Sequence, residues 1–188
     1  TFHPIKIDRS IKPMSNLISV IKMAKVFRKI KPDIVHVHTP IASVLGRIAA
    51  KIANVPCVIY TAHGFYFHEG MSDKEYKFYF NIEKYIGRYF TDFIFTQSYE
   101  DYEVAKKNKF LSRKNSNNYL HIGNGIDLDE KFNFNKIAPS VKDELRKKHN
   151  INKDDIVVTF IGRLVKEKGI FDFLESYNLL NTKNVKFI

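Results

Sequence analysis

Eight consecutive residues, Gly162-Arg163-Leu164-Val165-Lys166-Glu167-Lys168-Gly169, place three cations between two glycines. They separate a strand-like run, Asp155 to Ile161, from a helix-like run, Ile170 to Leu180. A strand that feeds a basic turn and then a helix makes an anion cradle. The first N–H groups of a helix have no internal partner, and the helix dipole is positive at that end. Arg163 adds a planar fork of donors, and Lys166 and Lys168 add compact charges. That equipment suits a diphosphate.

A second constellation is built from histidines. Ligands of open parallel sheets collect outside the carboxyl ends of the strands. His36 and His38 end one strand-like run, and Thr61-Ala62-His63-Gly64 ends the next. His63, followed by glycine, is expected to face a cleft, where it could bond a hydroxyl or stabilise developing charge. A histidine that merely caps the strand or the next helix fits the same position. His36 and His38 lie two apart and share a strand face; His36 is expected between sheet and helix, and His38 in the cleft. With His63 and His68 there are four candidate metal ligands, yet no Asp or Cys completes a recognisable ligand pattern. Phe65-Tyr66-Phe67-His68-Glu69-Gly70 then puts three aromatic rings in a row. The flanking glycines argue against a core role. An acceptor-binding or membrane-touching loop fits, as does a self-packed surface loop.

Several chemistries lack their sign. There is no Gly-x-x-x-x-Gly-Lys-Ser/Thr loop, no Gly-x-Gly-x-x-Gly fingerprint and no Gly-x-Ser-x-Gly elbow.

The elements that must position these groups follow from hydrophobic periodicity. Pro13 to Ile30 reads as a helix with Met14, Leu17, Ile18, Ile21, Ala24 and Phe27 on its apolar stripe. Asp33 to His38 reads as a strand. Ile41, Val44, Leu45, Ile48, Ala49 and Ile52 have helical spacing. Pro56 to Thr61 reads as a strand buried on both faces. Ser72 and Glu75 form a capping box for a helix to about Phe90. Its aromatic residues Tyr76, Tyr79, Phe80, Tyr85 and Tyr89 are expected in the core with tyrosine tips in water. Asp92 to Thr96 is a strand, and Ser98 starts a helix ending near Lys107. Asn108 to Asn118 reads as a polar surface loop, and Tyr119 to Ile122 as a short strand. The β-α-β-α order implies parallel strands, right-handed crossovers and helices on both faces, a doubly wound α/β sheet. Gly123-Asn124-Gly125 breaks the pattern like a turn or hinge. A helix from Ser140 to His149 and the strand–cradle–helix unit then start a second sheet domain. The expected division is 1–125 and 126–188.

Composition sets the setting. The chain has 188 residues, a net charge of +11 and one cysteine, Cys57. No internal disulfide can form, and a reduced, cytoplasmic compartment is the simplest reading. No apolar run reaches the ~18–20 residues needed to span a bilayer. Residues 1–31 carry eight basic side chains against one acid, Asp8. Such an end suits nucleic acid, an anionic membrane surface or phosphorylated ligands, and also an ordinary solvated helix face. The start at Thr1 and the apolar run Val185-Lys186-Phe187-Ile188 at the end suggest a piece of a longer protein.

Four stretches together resemble glycosyltransferase family 4, most nearly the bacterial capsule, exopolysaccharide and lipopolysaccharide sugar transferases. They are Lys31-Pro32-Asp33-Ile34-Val35-His36-Val37-His38, Thr61-Ala62-His63-Gly64, Ile122-Gly123-Asn124-Gly125-Ile126-Asp127, and Gly162-Arg163-Leu164 with Lys168-Gly169. The resemblance implies a GT-B enzyme, two Rossmann-like domains with the active site between them. It implies a nucleotide-sugar donor on the second domain, a saccharide or polyprenyl-linked acceptor on the first, and a retaining reaction. Arg163 and Lys168 would hold the donor diphosphate in place of a metal, so no cofactor is expected. His63 would sit beside the transferred sugar, with His38, Gly64, Phe65, Tyr66 and His68 on the acceptor side. The basic helices would rest on the anionic inner membrane face, and no nucleic acid is expected as a partner.

Three departures accompany the resemblance. Gly123 stands where the family has proline in its hinge. The family's glycine-rich loop after its first strand and its Glu-x7-Glu pair both fall outside these residues. The 188-residue chain is therefore expected to be inactive by itself. The residues alone also fit a different reading, a non-catalytic basic Rossmann-like module that binds nucleic acid or phosphorylated ligands.

Overall fold

Right-handed crossovers between parallel strands decide where the helices of this protein lie. The computed structural model describes residues 1–8, 13–180 and 184–188. Chain contacts divide it into two units, Thr1–Gly125 and Ile126–Ile188.

The first unit runs α1 (Pro13–Ile30), β1 (Ile34–His38), α2 (Pro40–Ile52), β2 (Cys57–Ala62), α3 (Asp73–Phe90), β3 (Phe93–Thr96), α4 (Tyr99–Lys107) and β4 (Tyr119–His121). The strands form one parallel sheet in the order β1-β2-β3-β4. Local chemistry starts each helix. Pro40 begins α2, where its missing N–H costs nothing. Ser72 and Glu75 close a reciprocal capping box on α3, with Ser72 N–H donating to Glu75 at 3.3 Å and Glu75 N–H to Ser72 Oγ at 3.4 Å. The Ser72 hydroxyl and N–H hold the Glu75 carboxyl below its ordinary pKa. Ser98 caps α4 through the Asp101 N–H.

The α/β class and the parallel sheet are as read from the sequence. The expected helices on both faces are not found among the described residues, for a topological reason. The strand order never reverses, and right-handed crossovers that always step the same way deliver α2, α3 and α4 to one face. Packing agrees. Val35, Ala50 and Val58 share one cluster, and Tyr60, Ala62, Ile94, Ala105 and Phe110 share another. The other face carries exposed Ile34, His36 and His38 beside half-buried Ile59, Phe93 and Phe95. β2 buries Val58, Tyr60 and Ala62 against the helices; on its other face Cys57 and Ile59 are half-buried and Thr61 is buried, so only its carboxyl end is buried on both faces.

Three further expectations change. Helix α1 buries Asn16, Ser19, Val20, Met23 and Ala24, while Leu17, Ile18 and Ile21 stay about half exposed. Two overlapping apolar stripes exist on this helix. The one selected lets Ser19 Oγ donate to the Lys6 carbonyl at 2.6 Å and lets Val20, Met23 and Ala24 meet Leu45 and Ala49 of α2. The side chain of Met14, also assigned to the stripe, lies outside the described residues. The loop at 108–118 is not wholly superficial, because Phe110 and Leu111 are buried in the core. Gly87 of α3 permits this, since a Cβ there would stand 2.6 Å from the Phe110 carbonyl oxygen. Finally, the aromatic loop reaches the core after all. Phe67 is buried, and Phe65 stacks on it at 5.1 Å and meets Phe110 at 5.5 Å. Tyr66 stays exposed against Tyr79. Of the α3 aromatics, Tyr76, Tyr79 and Phe80 pack on the core, whereas Tyr85 and Tyr89 are mostly in water.

A buried ion pair joins two helices above the sheet. Arg47 of α2 bonds Glu83 of α3 at 2.9 Å, and both side chains are essentially solvent-free. The Tyr60 hydroxyl donates to Glu83 at 3.3 Å, and the Arg47 guanidinium lies 4.1 Å above the Tyr60 ring. Ser43 takes two further Arg47 hydrogen bonds. Burial, then the Glu83 charge, pushes the Tyr60 phenol well above its ordinary pKa.

The second unit contains α5 (Ser140–Lys148), β5 (Ile156–Val158), α6 (Ile170–Leu179) and β6 (Val185–Phe187). β5 and β6 pair in parallel with Ile156 opposite Val185. Phe160, Phe173, Tyr177 and Phe187 stack around this pair. β5 ends at Val158, short of the expected Ile161, and one further bond runs from the Phe160 N–H to the Ile188 carbonyl at 2.8 Å. Ile161 is 93% exposed.

Removing one member of the buried ion pair strands the other. Glu83→Gln is expected to lower the unfolding free energy by about 3–5 kcal/mol. The double variant Arg47→Met/Glu83→Leu is expected to recover most of that loss, read as urea-denaturation midpoints of the chain and its variants.

Candidate functional site

Parallel pairing brings the ends of β1 and β2 to the same edge of the sheet. The register sets His36 opposite Ile59 and His38 opposite Thr61. His36, His38, Thr61 and His63 therefore share the helix-free face. His36 Nε2 and Thr61 Oγ1 are 2.7 Å apart, and His38 Nδ1 and His63 Nε2 are 2.9 Å apart. The His36 and His38 rings lie 4.3 Å apart, and those of His38 and His63 5.2 Å. His36 is exposed and edge-on to Phe95, in place of the expected position between sheet and helix, because even-numbered β1 residues point away from α2. Partial loss of water, then His38 and His63, lowers the His36 pKa, so this ring stays neutral at neutral pH.

The backbone on either side is constrained. Thr39 has φ 65° and ψ 150°, a region that a β-branched residue enters at a cost of about 1–3 kcal/mol. It turns the chain from β1 into α2 immediately after His38, and its carbonyl accepts the first helical bond from Ser43. Gly64, at φ 118°, makes the corresponding turn after His63, with no atom within 4 Å of a would-be Cβ. Burial raises the pKa of the Asp101 carboxyl at the start of α4. The His63-Gly64-Phe65 turn is held by the packed rings of Phe65 and Phe67.

Sequence reasoning found His38, His63 and the strand end at Thr61 but not the His38–His63 and His36–Thr61 bonds, and it missed Thr39. Tyr66 and His68 face solvent, and His68 Nδ1 accepts the Gly70 N–H at 3.2 Å. Among the described residues no three His, Cys, Asp or Glu side chains converge in a metal-holding group. A groove of about 380 Å³ runs along the outer edge of β1, lined by Met23, Phe27, Ile34, His36, His38 and Gly46 among others.

The basic turn belongs to the second unit. Residues 166–168 form a 3-10 turn, Gly169 takes the left-handed conformation at φ 74°, and α6 follows. The N–H groups of Val165, Lys168 and Gly169 bond within the turn. The start of α6 has no side-chain cap, which leaves the dipole end available to an anion. The turn is solvent-exposed, and Arg163 pairs with Glu167 at 3.5 Å with both side chains about 70% exposed. Such a pair adds little stability and opens readily to a stronger anion. Asp172 in the first turn of α6 opposes anion binding there.

A side chain at the positive-φ glycine gives a direct check of the His63 turn. Gly64→Ala is expected to cost about 1–3 kcal/mol through φ alone. Gly125→Ala, with open space and no positive φ, is expected to be near neutral. Equal denaturation midpoints for the two variants would contradict a glycine-dependent turn at position 64.

Comparison with known proteins bears on what these groups are. The model of the glycosyl transferase 4-like family matches residues 1–98, more than half of the chain, and that of glycosyl transferases group 1 matches residues 141–188. The chain is 34% identical over 181 residues to the putative glycosyltransferase EpsD of Bacillus subtilis (strain 168), covering 95% of this chain and 46% of that protein. It is 33% identical over 192 residues to the capsular polysaccharide biosynthesis glycosyltransferase CapM of Staphylococcus aureus, covering 99% and 48%. It is 32% identical over 180 residues to the UDP-Gal:alpha-D-GlcNAc-diphosphoundecaprenol alpha-1,3-galactosyltransferase of Escherichia coli, covering 94% and 44%. The chain thus spans under half the length of these curated relatives. In fold it resembles Anabaena Alr3699/HepE, solved in complex with UDP, with a TM-score of 0.68 at 20% identity over 90% of this chain and 42% of that one. A glycosyltransferase from Rickettsia africae gives a TM-score of 0.60 at 19% identity, over 94% and 44%. The helices, the parallel sheet and these matches agree: the chain belongs to the glycosyl transferase 4-like family.

Proposed function

We propose that these residues are part of an enzyme that transfers a sugar from a nucleotide-diphosphate donor to a lipid-linked saccharide in bacterial surface polysaccharide synthesis. The carrying observation is His63, presented to solvent at a strand end by a turn that only glycine enters freely, and bonded to His38. The name of the Escherichia coli relative, which specifies UDP-Gal and a diphosphoundecaprenol-linked acceptor, supports the donor and acceptor classes. The UDP held by the Anabaena protein in its crystal structure supports a nucleotide-sugar donor as well.

In this reading Arg163 and Lys168 hold the donor diphosphate, and Arg163 exchanges Glu167 for phosphate oxygens. Their positive charge neutralises the leaving group without a metal. His63 lies beside the transferred sugar and favours its oxocarbenium-like transition state. His38, Gly64, Phe65, Tyr66 and His68 belong to the acceptor side, with Phe65 acting through the packing that fixes the turn. Anomeric configuration is retained. The enzyme works in the cytoplasm on the inner membrane face. Half-exposed Leu17, Ile18 and Ile21 beside Lys22, Lys25 and Lys29 make α1 a surface for anionic lipid. No helix among the described residues is long and apolar enough to cross a membrane.

Kinetics of the full-length protein test the roles. Arg163→Ala is expected to lower kcat/KM for the donor by about 100- to 1000-fold, as when one preorganised donor to developing charge is lost. His63→Ala is expected to reduce kcat more than donor affinity. Unchanged kinetics for Arg163→Ala exclude the donor role, and tight single-stranded nucleic-acid binding with a steep salt slope favours the non-catalytic reading. Charge reversal at Lys22, Lys25 and Lys29 is expected to weaken co-sedimentation with phosphatidylglycerol vesicles, by at least ~1 kcal/mol per site.

A further inference from the structure

We propose that His38 is a positioning residue: it holds His63 in the Nε2–H tautomer, so that His63 Nδ1 meets the ligand as a bare hydrogen-bond acceptor. The catalytic consequence rests on the glycosyltransferase reading, whereas the tautomer itself does not.

The argument starts from the 2.9 Å separation of His38 Nδ1 and His63 Nε2. That distance needs one proton between the two nitrogens. Two lone pairs would repel, and two N–H groups would collide. The tautomers of the neutral rings are therefore coupled. In one arrangement both rings are Nδ1–H, with His38 donating. In the other both are Nε2–H, with His63 donating. The Nε2–H form is intrinsically favoured for a neutral imidazole side chain, because its proton lies away from the Cβ substituent. The second arrangement gives both rings that form at once. An Nδ1–H tautomer usually requires a carbonyl or carboxylate acceptor at Nδ1. Among the described residues no such partner meets His63 Nδ1.

The surroundings hold this geometry. The β1–β2 register places His38 opposite Thr61, two residues before His63. The Thr39 turn fixes the backbone after His38, and the Gly64 turn fixes it after His63. His36 lies against His38, is tied to Thr61 and is neutral, so the third ring adds no positive charge. The pair then offers two different edges to a ligand, an acceptor at His63 Nδ1 and a donor at His38 Nε2–H. An acceptor at His63 suits a hydroxyl that donates to it. A lone pair, unlike an N–H, also faces developing positive charge on a sugar ring favourably.

Nitrogen-15 NMR of the labelled chain at about pH 8, above the ordinary imidazole range, reads the tautomer directly. The expected spectrum has a bare His63 Nδ1 and a His63 Nε2–H proton shielded from water exchange, with a coupling across the bond to His38 Nδ1. His38→Asn, whose amide oxygen stands near the lost Nδ1, is expected to keep the shielded proton. His38→Leu is expected to lose it. A His63 proton found on Nδ1, or a shielded Nε2–H unchanged in His38→Leu, overturns the proposal. In the full-length enzyme His38→Leu is expected to lower kcat by about 10- to 100-fold, the range for removing a group that orients a functional imidazole. His38→Asn should restore much of it. On a His63→Ala background the same substitution should have little effect, and an undiminished loss there means that His38 acts independently. Absence of sugar transfer by the unmutated enzyme would sink the functional reading and leave the NMR result to decide the tautomer.

Discussion

Parallel pairing of β1 with β2 is the constraint on which the histidine site depends. The pairing aligns the carboxyl ends of both strands, and the register opposite Thr61 carries His38 to within bonding distance of His63. An antiparallel arrangement would send these ends to opposite edges of the sheet. A slip of one residue would turn His36 and His38 toward α2 and Val37 toward the open face. Register is held firmly because the opposite face is buried. Val35 and Val58 pack with Ala50, and a Cβ at Gly46 would stand 2.7 Å from a Val37 methyl.

The helical layer carries that constraint into the rest of the unit. Arg47 and Glu83 tie α2 to α3 across Tyr60 of β2. A buried pair of this kind is weak evidence for stability, because desolvation offsets much of the attraction. Its geometric effect is clearer. The pair and the Tyr60 hydroxyl join α2, α3 and β2 at one point, while Arg47 Nη1 is buried there without a hydrogen-bond partner. The aromatic cluster of Phe65, Phe67, Phe80 and Phe110 then fills the space toward α4. It also roots the turn that presents His63. One loop thus serves two purposes, with alternate side chains in the core and in solvent.

The second unit is built from different physics. Its basic turn is exposed and its charges are solvated, so it contributes little to folding. Gly169 allows the turn to end and α6 to begin within one residue, because only the left-handed conformation makes that change of direction. The ring cluster of Phe160, Phe173 and Phe187 supports it on the short β5–β6 pair.

Much of the architecture was legible in the residues. The α/β alternation, the capping box at Ser72, the positions of β1 to β3 and the strand-end placement of His38 and His63 all follow from local rules of spacing, capping and turn chemistry. Those rules depend on neighbours in the chain, which a sequence displays. Where two outcomes satisfied the local rules equally, tertiary structure chose. Helix α1 had two apolar stripes, and contact with Leu45, Ala49 and the segment at Lys6 selected the one containing Val20 and Met23. Phe65, Phe67 and Phe110 looked like loop residues until distant elements closed around them. Strand order put α2, α3 and α4 on a single face, and the His38–His63 bond joined two residues that share no local motif. Burial, strand order and bonds between distant residues are properties of pairs, and a single chain read in order specifies each partner without saying which ones will meet.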